Sequence, residues 1–313
     1  MPSRHQWGTT HLAGQVDLSR NRHWSTEYRR GVVKPIAPAP VVMGVLNVTP
    51  DSFSDGGRYA SLEDAVRHAV TMRTDGADVV DVGGESTRPG AGRVDAATEC
   101  ARVLPVLREL AAVGVPTSID TTRAEVAEAA LAAGASVIND VSGGLADPRM
   151  AAVVASAGVP WVLMHWRGHS VQMQELARYR DVVAEVRDEL RQRADAAIAA
   201  GVDAASIIVD PGLGFAKLPE HNWQLSAHLD AIISLGYPVL VGASRKSYLG
   251  TLLADPTGAP RPVAEREAAT VATSVLAVQA GAWGVRVHDV RATVDALRVL
   301  QATREARLGR VHE

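Results

Sequence analysis

Polar side chains follow eight short apolar runs of the sequence, and their types suit the binding of an anion and a heterocycle. Along the chain they are Asn47, Asp81, Asp120, Asn139 with Asp140, His165, Asp210, Ser244 with Arg245 and Lys246, and Arg286 with His288. Carboxylate and amide groups can accept and donate hydrogen bonds at the edge of a flat ring. Arginine binds oxyanions and also stacks on rings. A single buried polar group is most simply a satisfied core residue, but eight at the same end of successive runs indicate one site.

Two glycine-rich segments follow the first two apolar runs. The first, "NVTPDSFSDGG", begins at Asn47 and is rich in turn formers and oxygen donors. The second, "GGESTRPGAG", begins at Gly83 and combines glycine with Glu85, Thr87 and Arg88. Flexible backbone beside arginine and hydroxyl groups suits a phosphate or diphosphate ligand.

The elements that must position these residues alternate in a regular way from Val41 onward. Short β-branched runs such as "VVMGVLNV", "TSID" and "WVLMH" predict strands, and alanine-rich amphipathic runs between them predict helices. Eight such units predict an α/β fold, a (β/α)8 TIM barrel in which catalytic side chains lie at the carboxyl ends of the strands. An open doubly wound sheet is the alternative, but no G-x-G-x-x-G follows the first strand.

Local punctuation supports the same elements. Glycine recurs just before strands, which predicts helix C-caps at Gly76, Gly134, Gly158, Gly201, Gly236 and Gly281. Thr122 with Glu125 predicts a capping box after the third strand, and Ser61 predicts an N-cap for the first helix.

Composition limits the class of protein. The 313 residues are 47 % hydrophobic, enough for one large core, which we expect as a single barrel domain over 41–308. Residues 1–40 have no helical or strand period and end in a Pro/Ala linker, so we expect an irregular tail, disordered or loosely docked. A net charge of −3 argues against a nucleic-acid partner. No apolar stretch approaches the length of a membrane span, and one cysteine fits a reducing compartment, so we expect a cytoplasmic protein with no membrane partner.

Seven motifs, in order and spacing, resemble those of the bacterial dihydropteroate synthases, a pterin-binding family. They are "MGVLNVTPDSFSDGG", "DVGGESTRPGA", "SIDTTRAEVA", "INDVSGG", "DPGLGFAK", "GASRKSYLG" and "GAWGVRVHDV". The resemblance runs from about Val41 to Ala302, which is essentially the whole predicted barrel.

The resemblance implies the condensation of 6-hydroxymethyl-7,8-dihydropterin diphosphate with p-aminobenzoate to give 7,8-dihydropteroate and diphosphate, with assistance from Mg²⁺. It implies catalytic roles for Asp55, Lys246, Arg286 and His288, and pterin binding by Asp120, Asn139, Asp210, Lys246 and Arg286. It assigns diphosphate to Asn47, Arg286 and His288, and the metal to Asn47. It assigns p-aminobenzoate and its sulfonamide mimics to Phe53, Thr87, Arg88, Pro89, Phe215 and Ser247. It also implies a homodimer formed through helices late in the barrel.

One segment departs from the family pattern. After the fifth strand, "MHWRGHSVQMQ" has Trp166 and Arg167 where many members carry "MHMQG". His165 beside them could be a ligand or could make a structural hydrogen bond, and the sequence leaves both open.

Two other functions are compatible with a pterin-binding barrel. A methyltransferase that acts on methyltetrahydrofolate with a corrinoid partner would need no diphosphate site, so "SRKS" and "RVHD" argue against it. A non-catalytic paralogue that binds a pterin-like ligand would be expected to lose the two glycine-rich segments, and both are intact.

Overall fold

Eight parallel strands, with helices between them, make up the described part of the chain. The computed structural model describes residues 39–49, 62–85, 93–168 and 176–309. The strands β1 to β8 are Val41–Asn47, Val79–Gly83, Thr117–Asp120, Val137–Asp140, Trp161–Met164, Ile207–Asp210, Leu240–Val241 and Gly284–Val287. The helices α1 to α10 are Leu62–Thr74, Ala96–Ala112, Ala124–Ala132, Met150–Ala157, Val182–Ala199, Pro219–Ala227, Leu229–Ile233, Ser247–Leu252, Glu267–Ala280 and Val290–Arg307.

The strands form a barrel rather than an open doubly wound sheet. Their order in the sheet is β6-β5-β4-β3-β2-β1-β8-β7, with every pair parallel. A parallel bridge between Val209 and Val239 joins β6 to the start of β7 and completes the ring. The predicted (β/α)8 TIM barrel is therefore confirmed, and each strand begins within one residue of its predicted start.

Side chains alternate between the two faces of the strands, as the pleat requires. Val80, Val82 and Ile119 are fully buried in the layer between strands and helices. Asp81 and Ser118, which pair with each other across β2 and β3, point to the opposite face, the interior of the barrel. Aliphatic residues dominate the outer layer, and burying each large one contributes roughly 1.5–3 kcal/mol.

Two of the predicted glycine C-caps are confirmed, Gly158 at the end of α4 and Gly281 at the end of α9. Gly134 and Gly201 lie one residue after the C-caps of α3 and α5. All six glycines have positive φ, from +65° at Gly158 to +111° at Gly281. No helix in the four described ranges is both long enough and apolar enough to cross a membrane.

The predicted capping box at Thr122 is wrong. Helix α3 has Arg123 at its N-cap, without a side-chain capping bond. The first amide of the helix instead donates to Asp147 Oδ2 at 3.0 Å. Thr122 Oγ1 accepts a bond from Arg93 at 3.3 Å, so a tertiary contact replaces the local cap.

Some predictions concern residues outside the described ranges. The predicted tail falls almost entirely there, over residues 1–38, and so does the predicted N-cap Ser61. Every described residue belongs to the unit Ile36–Glu313.

Candidate active site

Four charged or amide side chains meet inside the carboxyl end of the barrel. Arg286 on β8 donates from Nε to Asp81 Oδ2 on β2 at 2.6 Å, and from Nη2 to Asp120 Oδ2 on β3 at 2.7 Å. Asn139 on β4 donates to the same Asp81 oxygen at 2.8 Å. Strand β1 lies between β8 and β2 in the sheet, so these bonds cross the barrel interior. The structure thus brings together Arg286, Asp120 and Asn139, three of the predicted pterin-binding residues.

Asp81 is the organiser of this cluster. Sequence reasoning placed it in the polar ring but gave it no role in the site. It is completely buried, and one of its oxygens accepts from both Arg286 and Asn139. The signal that could have identified it is its position: an aspartate within the apolar run "VVDVGG" must find a cationic or amide partner.

Burial and charge oppose each other at Asp120. Burial raises the pKa of this carboxyl to about 7, and the adjacent Arg286 acts in the opposite direction. The Arg286 pKa is raised by Asp81 and Asp120 in spite of burial, so the guanidinium stays charged. The cluster therefore offers a carboxyl edge and a cationic plane side by side, which suits a ring with amide and amino edges.

Lys246 stands at the other side of the barrel mouth, just after β7. Its Nζ lies 3.8 Å from the ring centroid of Phe215, a cation–π contact. Asp210, at the end of β6, is buried and accepts from the amide of Gly212 at 2.7 Å. Burial lowers the pKa of Lys246 to about 8, with Arg286 acting in the same direction and Asp210 opposing it. Predicted pterin and aminobenzoate residues are thus adjacent here.

Asn47 and His288 provide polar groups at the ends of β1 and β8. Ser244 Oγ lies 2.8 Å from His288 Nδ1, and it accepts a hydrogen bond from the backbone amide of His288 at 3.2 Å. These two contacts orient the imidazole. Asn47 Oδ1 and Asp120 Oδ2 both lie 3.7 Å from the point that a Cβ on Gly83 would occupy. Because Gly83 has no side chain, no atom of the described residues fills this gap beside the two side-chain oxygens.

The donors at this gap fit a magnesium ion. In the described residues, no group of three His, Cys, Asp or Glu side chains could hold a metal. Mg²⁺ is commonly bound through one or two protein oxygens plus substrate phosphates rather than in an all-protein cage. The amide oxygen of Asn47 is a hard ligand of the required kind.

Three residues of the predicted polar ring serve the scaffold instead. Asp140 accepts from the Ser142 and Gly144 amides and caps the turn after β4. Arg245 is paired with Glu267 of α9. His165 lies between Lys217 and Glu189, at 2.9 Å from each, so its bonds are structural.

The predicted aminobenzoate residues are only partly within the described ranges. Phe215 is half-buried beneath Lys246, and Ser247 is exposed at the first position of α8. Phe53, Asp55, Thr87, Arg88 and Pro89 lie outside the described residues.

The base of the second glycine-rich segment is held by an ionic cluster. Arg123, just after β3, donates to Glu85 Oε2 at 2.6 Å and also contacts Glu99 Oε2 and the Val94 carbonyl. Arg102 donates to the Gly84 carbonyl at 2.7 Å. Sequence reasoning missed this cluster because its members come from three separate segments.

Comparison with known proteins agrees with this geometry. Residues 43–288 match the family model described as "Pterin binding enzyme". The chain is similar to a dihydropteroate synthase of Mycobacterium leprae, with 60 % identity over 84 % of this chain and 94 % of the relative. It is similar to the structure of Xanthomonas albilineans dihydropteroate synthase with 4-aminobenzoic acid (48 % identity, TM-score 0.78, covering 85 % of this chain and 93 % of that one). It is also similar to Yersinia pestis dihydropteroate synthase in a sulfonamide drug complex (41 % identity, TM-score 0.79, covering 86 % and 95 %).

Proposed function

The chain belongs to the pterin-binding enzyme family, and on that premise we propose that it is a dihydropteroate synthase, a transferase of folate biosynthesis. The arylamine nitrogen of p-aminobenzoate bonds to the methylene carbon of the dihydropterin diphosphate. The bond from that carbon to the diphosphate oxygen breaks with its electrons, and the amine loses a proton. The observation that carries the proposal is the cluster of Arg286, Asp81, Asp120 and Asn139 across the barrel mouth.

The pterin is bound at the edge of that cluster. Asp120 and Asp210 accept hydrogen bonds from the pterin amino and ring N–H groups, and Asn139 pairs with an amide edge. The guanidinium of Arg286, fixed by Asp81, stacks on the ring. As the carbon–oxygen bond breaks, the two carboxyl groups stabilise the cationic pterin.

The diphosphate leaves toward Asn47, Arg286 and His288. Arg286 and His288 donate to its oxygens, where preorganised donors stabilise charge without rearrangement. Asn47 would hold Mg²⁺ through its side-chain oxygen. When bound, the ion neutralises charge on the leaving group, which typically contributes several kcal/mol.

The aminobenzoate lies against Phe215 and Ser247, with Phe53, Asp55, Thr87, Arg88 and Pro89 on the two glycine-rich segments. A neutral arylamine is a weak nucleophile that needs little general-base help, so positioning contributes most. Sulfonamides occupy the same place as competitive mimics, which the sulfonamide complex of a relative supports. Lys246 orients the pterin as a hydrogen-bond donor.

A homodimer through α9 and α10 is part of the proposal. A groove of about 740 Å³ lies between these helices and is lined by Val275, Gln279, Ala296, Val299, Leu300, Thr303, Arg304 and Arg307. Leu276 and Val299 are 64 % and 67 % exposed. Exposed aliphatic residues are typical of interaction sites, and a second copy of this chain is the proposed occupant. The single cysteine supports a cytoplasmic location.

Complementation tests this function in a cell. A bacterial strain that lacks its own synthase and depends on added folate products is expected to grow when it expresses this chain. The variant Arg286→Gln lacks the guanidinium shared by the pterin and diphosphate sites, so a strain that expresses it is expected not to grow. Growth failure with folded wild-type protein would favour a non-catalytic paralogue.

A further inference from the structure

The loop between β6 and α6 has a backbone conformation that depends on contacts from side chains. This loop, Gly212–Lys217, has positive φ at Gly212, Gly214 and Ala216 (+67°, +79° and +46°). The left-handed region costs a residue with a side chain roughly 1–2 kcal/mol. Ala216 is buried, so surrounding contacts must fix it in this conformation.

Lys217 makes these contacts with all three of its donors. Its Nζ donates to the Gly212 carbonyl at 3.0 Å, to the Phe215 carbonyl at 3.1 Å and to His165 Nδ1 at 2.9 Å. The ammonium form of Lys217 has three N–H bonds, one for each of these acceptors. Burial lowers the pKa of Lys217 to about 7, so this form predominates below that pH. The side chain is only 6 % exposed, and it ties both ends of the loop to one point.

His165 links Lys217 to Glu189 of helix α5. Because Nδ1 accepts from Lys217, the proton of the neutral imidazole is on Nε2, which donates to Glu189 Oε2 at 2.9 Å. Burial lowers the pKa of His165 to about 4, so the ring is neutral at physiological pH. Glu189 is held in turn by Arg167.

Arg167 belongs to the segment in which this chain departs from its family pattern. Its guanidinium also lies 3.9 Å from the ring centroid of Tyr179. Tyr179 donates from its hydroxyl to the Ala216 carbonyl at 3.0 Å. Tyr179, from the segment after β5, thus also holds Ala216, in addition to the contacts that Lys217 makes with the loop.

The loop directly contacts the side chains of the site. Phe215 lies beneath the Lys246 ammonium. A Cβ on Gly214 would lie 2.8 Å from Lys246 Cδ, so the lysine stem rests on the backbone at that point. A small shift of the loop therefore moves the aromatic wall of the aminobenzoate site. It also reaches two pterin residues, Lys246 through Gly214 and Asp210 through the Gly212 amide. The other pterin residues lie on other strands.

We propose that Lys217, oriented by its bond to His165 Nδ1, is a positioning residue that sets the place of Phe215 for p-aminobenzoate. The inference rests on the proposed function, because it concerns the second substrate of that reaction. A misplacement of about 1 Å at a reacting geometry can cost up to about a hundredfold in rate.

The first test is Lys217→Met, which keeps the length of the side chain and removes its donors. We expect the KM for p-aminobenzoate to rise by at least about tenfold. We expect the Kd for the pterin diphosphate, measured by calorimetry, to rise by a smaller factor than the KM, because Asp120, Asn139 and Arg286 lie outside the loop and its contacts. Arg291→Met is the matched control, because Arg291 is 72 % exposed and pairs only with Asp75 among the contacts that the structure gives it.

The second test separates the two bonds of His165. In His165→Asn the amide oxygen takes the place of Nδ1 and accepts from Lys217, whereas His165→Leu provides no acceptor. We expect the asparagine variant to keep a nearly normal aminobenzoate KM and the leucine variant to resemble Lys217→Met. The double variant His165→Leu/Lys217→Met should be no worse than either single one, because the residues act as a unit.

The outcomes decide between positioning and simple stability. Equal aminobenzoate KM values in wild type and Lys217→Met would overturn the inference, and so would a lower melting temperature with KM unchanged. If Lys217→Met does not fold, equal KM values in the two His165 variants overturn it. Wild-type protein that forms no dihydropteroate would instead contradict the proposed function.

Discussion

Asp81 shows how one buried carboxylate can determine the geometry of a site without touching a ligand. Arg286 and Asn139 both donate to its Oδ2 atom, so their orientations depend on each other. Hydrogen bonds to a charged group typically contribute about 1.5–3 kcal/mol each. The residue at the centre of the cluster is therefore the one whose change affects several binding groups together.

Asp81→Asn is expected to lower the free energy of unfolding by about 2 kcal/mol, because Arg286 loses its fully buried charged partner. Pterin affinity should fall as well, since the guanidinium is no longer fixed. Denaturant titration and calorimetry measure the two effects. Asp295→Asn, in an ion pair whose side chains are about two-thirds exposed, is the control and should change neither.

Lys246 gives the site a pH dependence. Burial lowers its pKa to about 8, so the ammonium form predominates below that pH and is lost above it. If the ammonium form binds the pterin, affinity should fall about tenfold between pH 7 and pH 9. In Lys246→Met the affinity should be lower throughout, and its remaining pH dependence should be that of the substrate and of Asp120, whose pKa burial raises to about 7. Parallel pH profiles for the two proteins would contradict the donor role.

At the scale of elements, the second glycine-rich segment depends on the contacts at its base. Glu85 precedes residues 86–92 in the chain, and Arg123 holds it together with Glu99, which is only 1 % exposed. Removing one partner from a buried pair typically costs about 3–5 kcal/mol, because the other charge is left behind.

Arg123→Met should therefore destabilise the protein and raise the aminobenzoate KM, while pterin affinity stays close to normal. The double variant Arg123→Met/Glu99→Gln removes the buried charge as well, so its melting temperature should recover. Its KM should remain high because Glu85 still lacks the short bond from Arg123, and the bond from Arg93 Nε is longer, at 3.3 Å. Recovery of both quantities in the double variant would show that the cluster contributes stability only.

The sequence predicts elements better than it predicts the links between them. Apolar runs and glycines are local signals, so the strands are confirmed, and all six predicted glycines have the positive φ typical of helix ends. The Thr122 capping box is wrong because Asp147, from the next loop, supplies the bond that a local cap would make. Roles for Asp81 and Lys217 could not be predicted, since each depends on partners brought together only by closure of the barrel.

At the scale of the whole molecule, the described residues form a partly apolar groove between α9 and α10. Leu276→Arg together with Val299→Glu is expected to convert a dimer to a monomer, because charges would have to be buried at the interface. Light scattering coupled to size exclusion measures the mass. Glu305→Lys, on the same helix, is a comparison for charge alone. A monomeric wild-type protein, or an unchanged dimer in the double variant, would contradict the proposed interface.

The central claim is that the mouth of this barrel joins a pterin to an arylamine. Purified protein is mixed with the dihydropterin diphosphate, Mg²⁺ and p-aminobenzoate, and the products are separated by chromatography. We expect dihydropteroate and diphosphate in equal amounts, and neither when the aminobenzoate or the protein is omitted. Folded protein that binds the pterin diphosphate but forms no dihydropteroate would contradict the account.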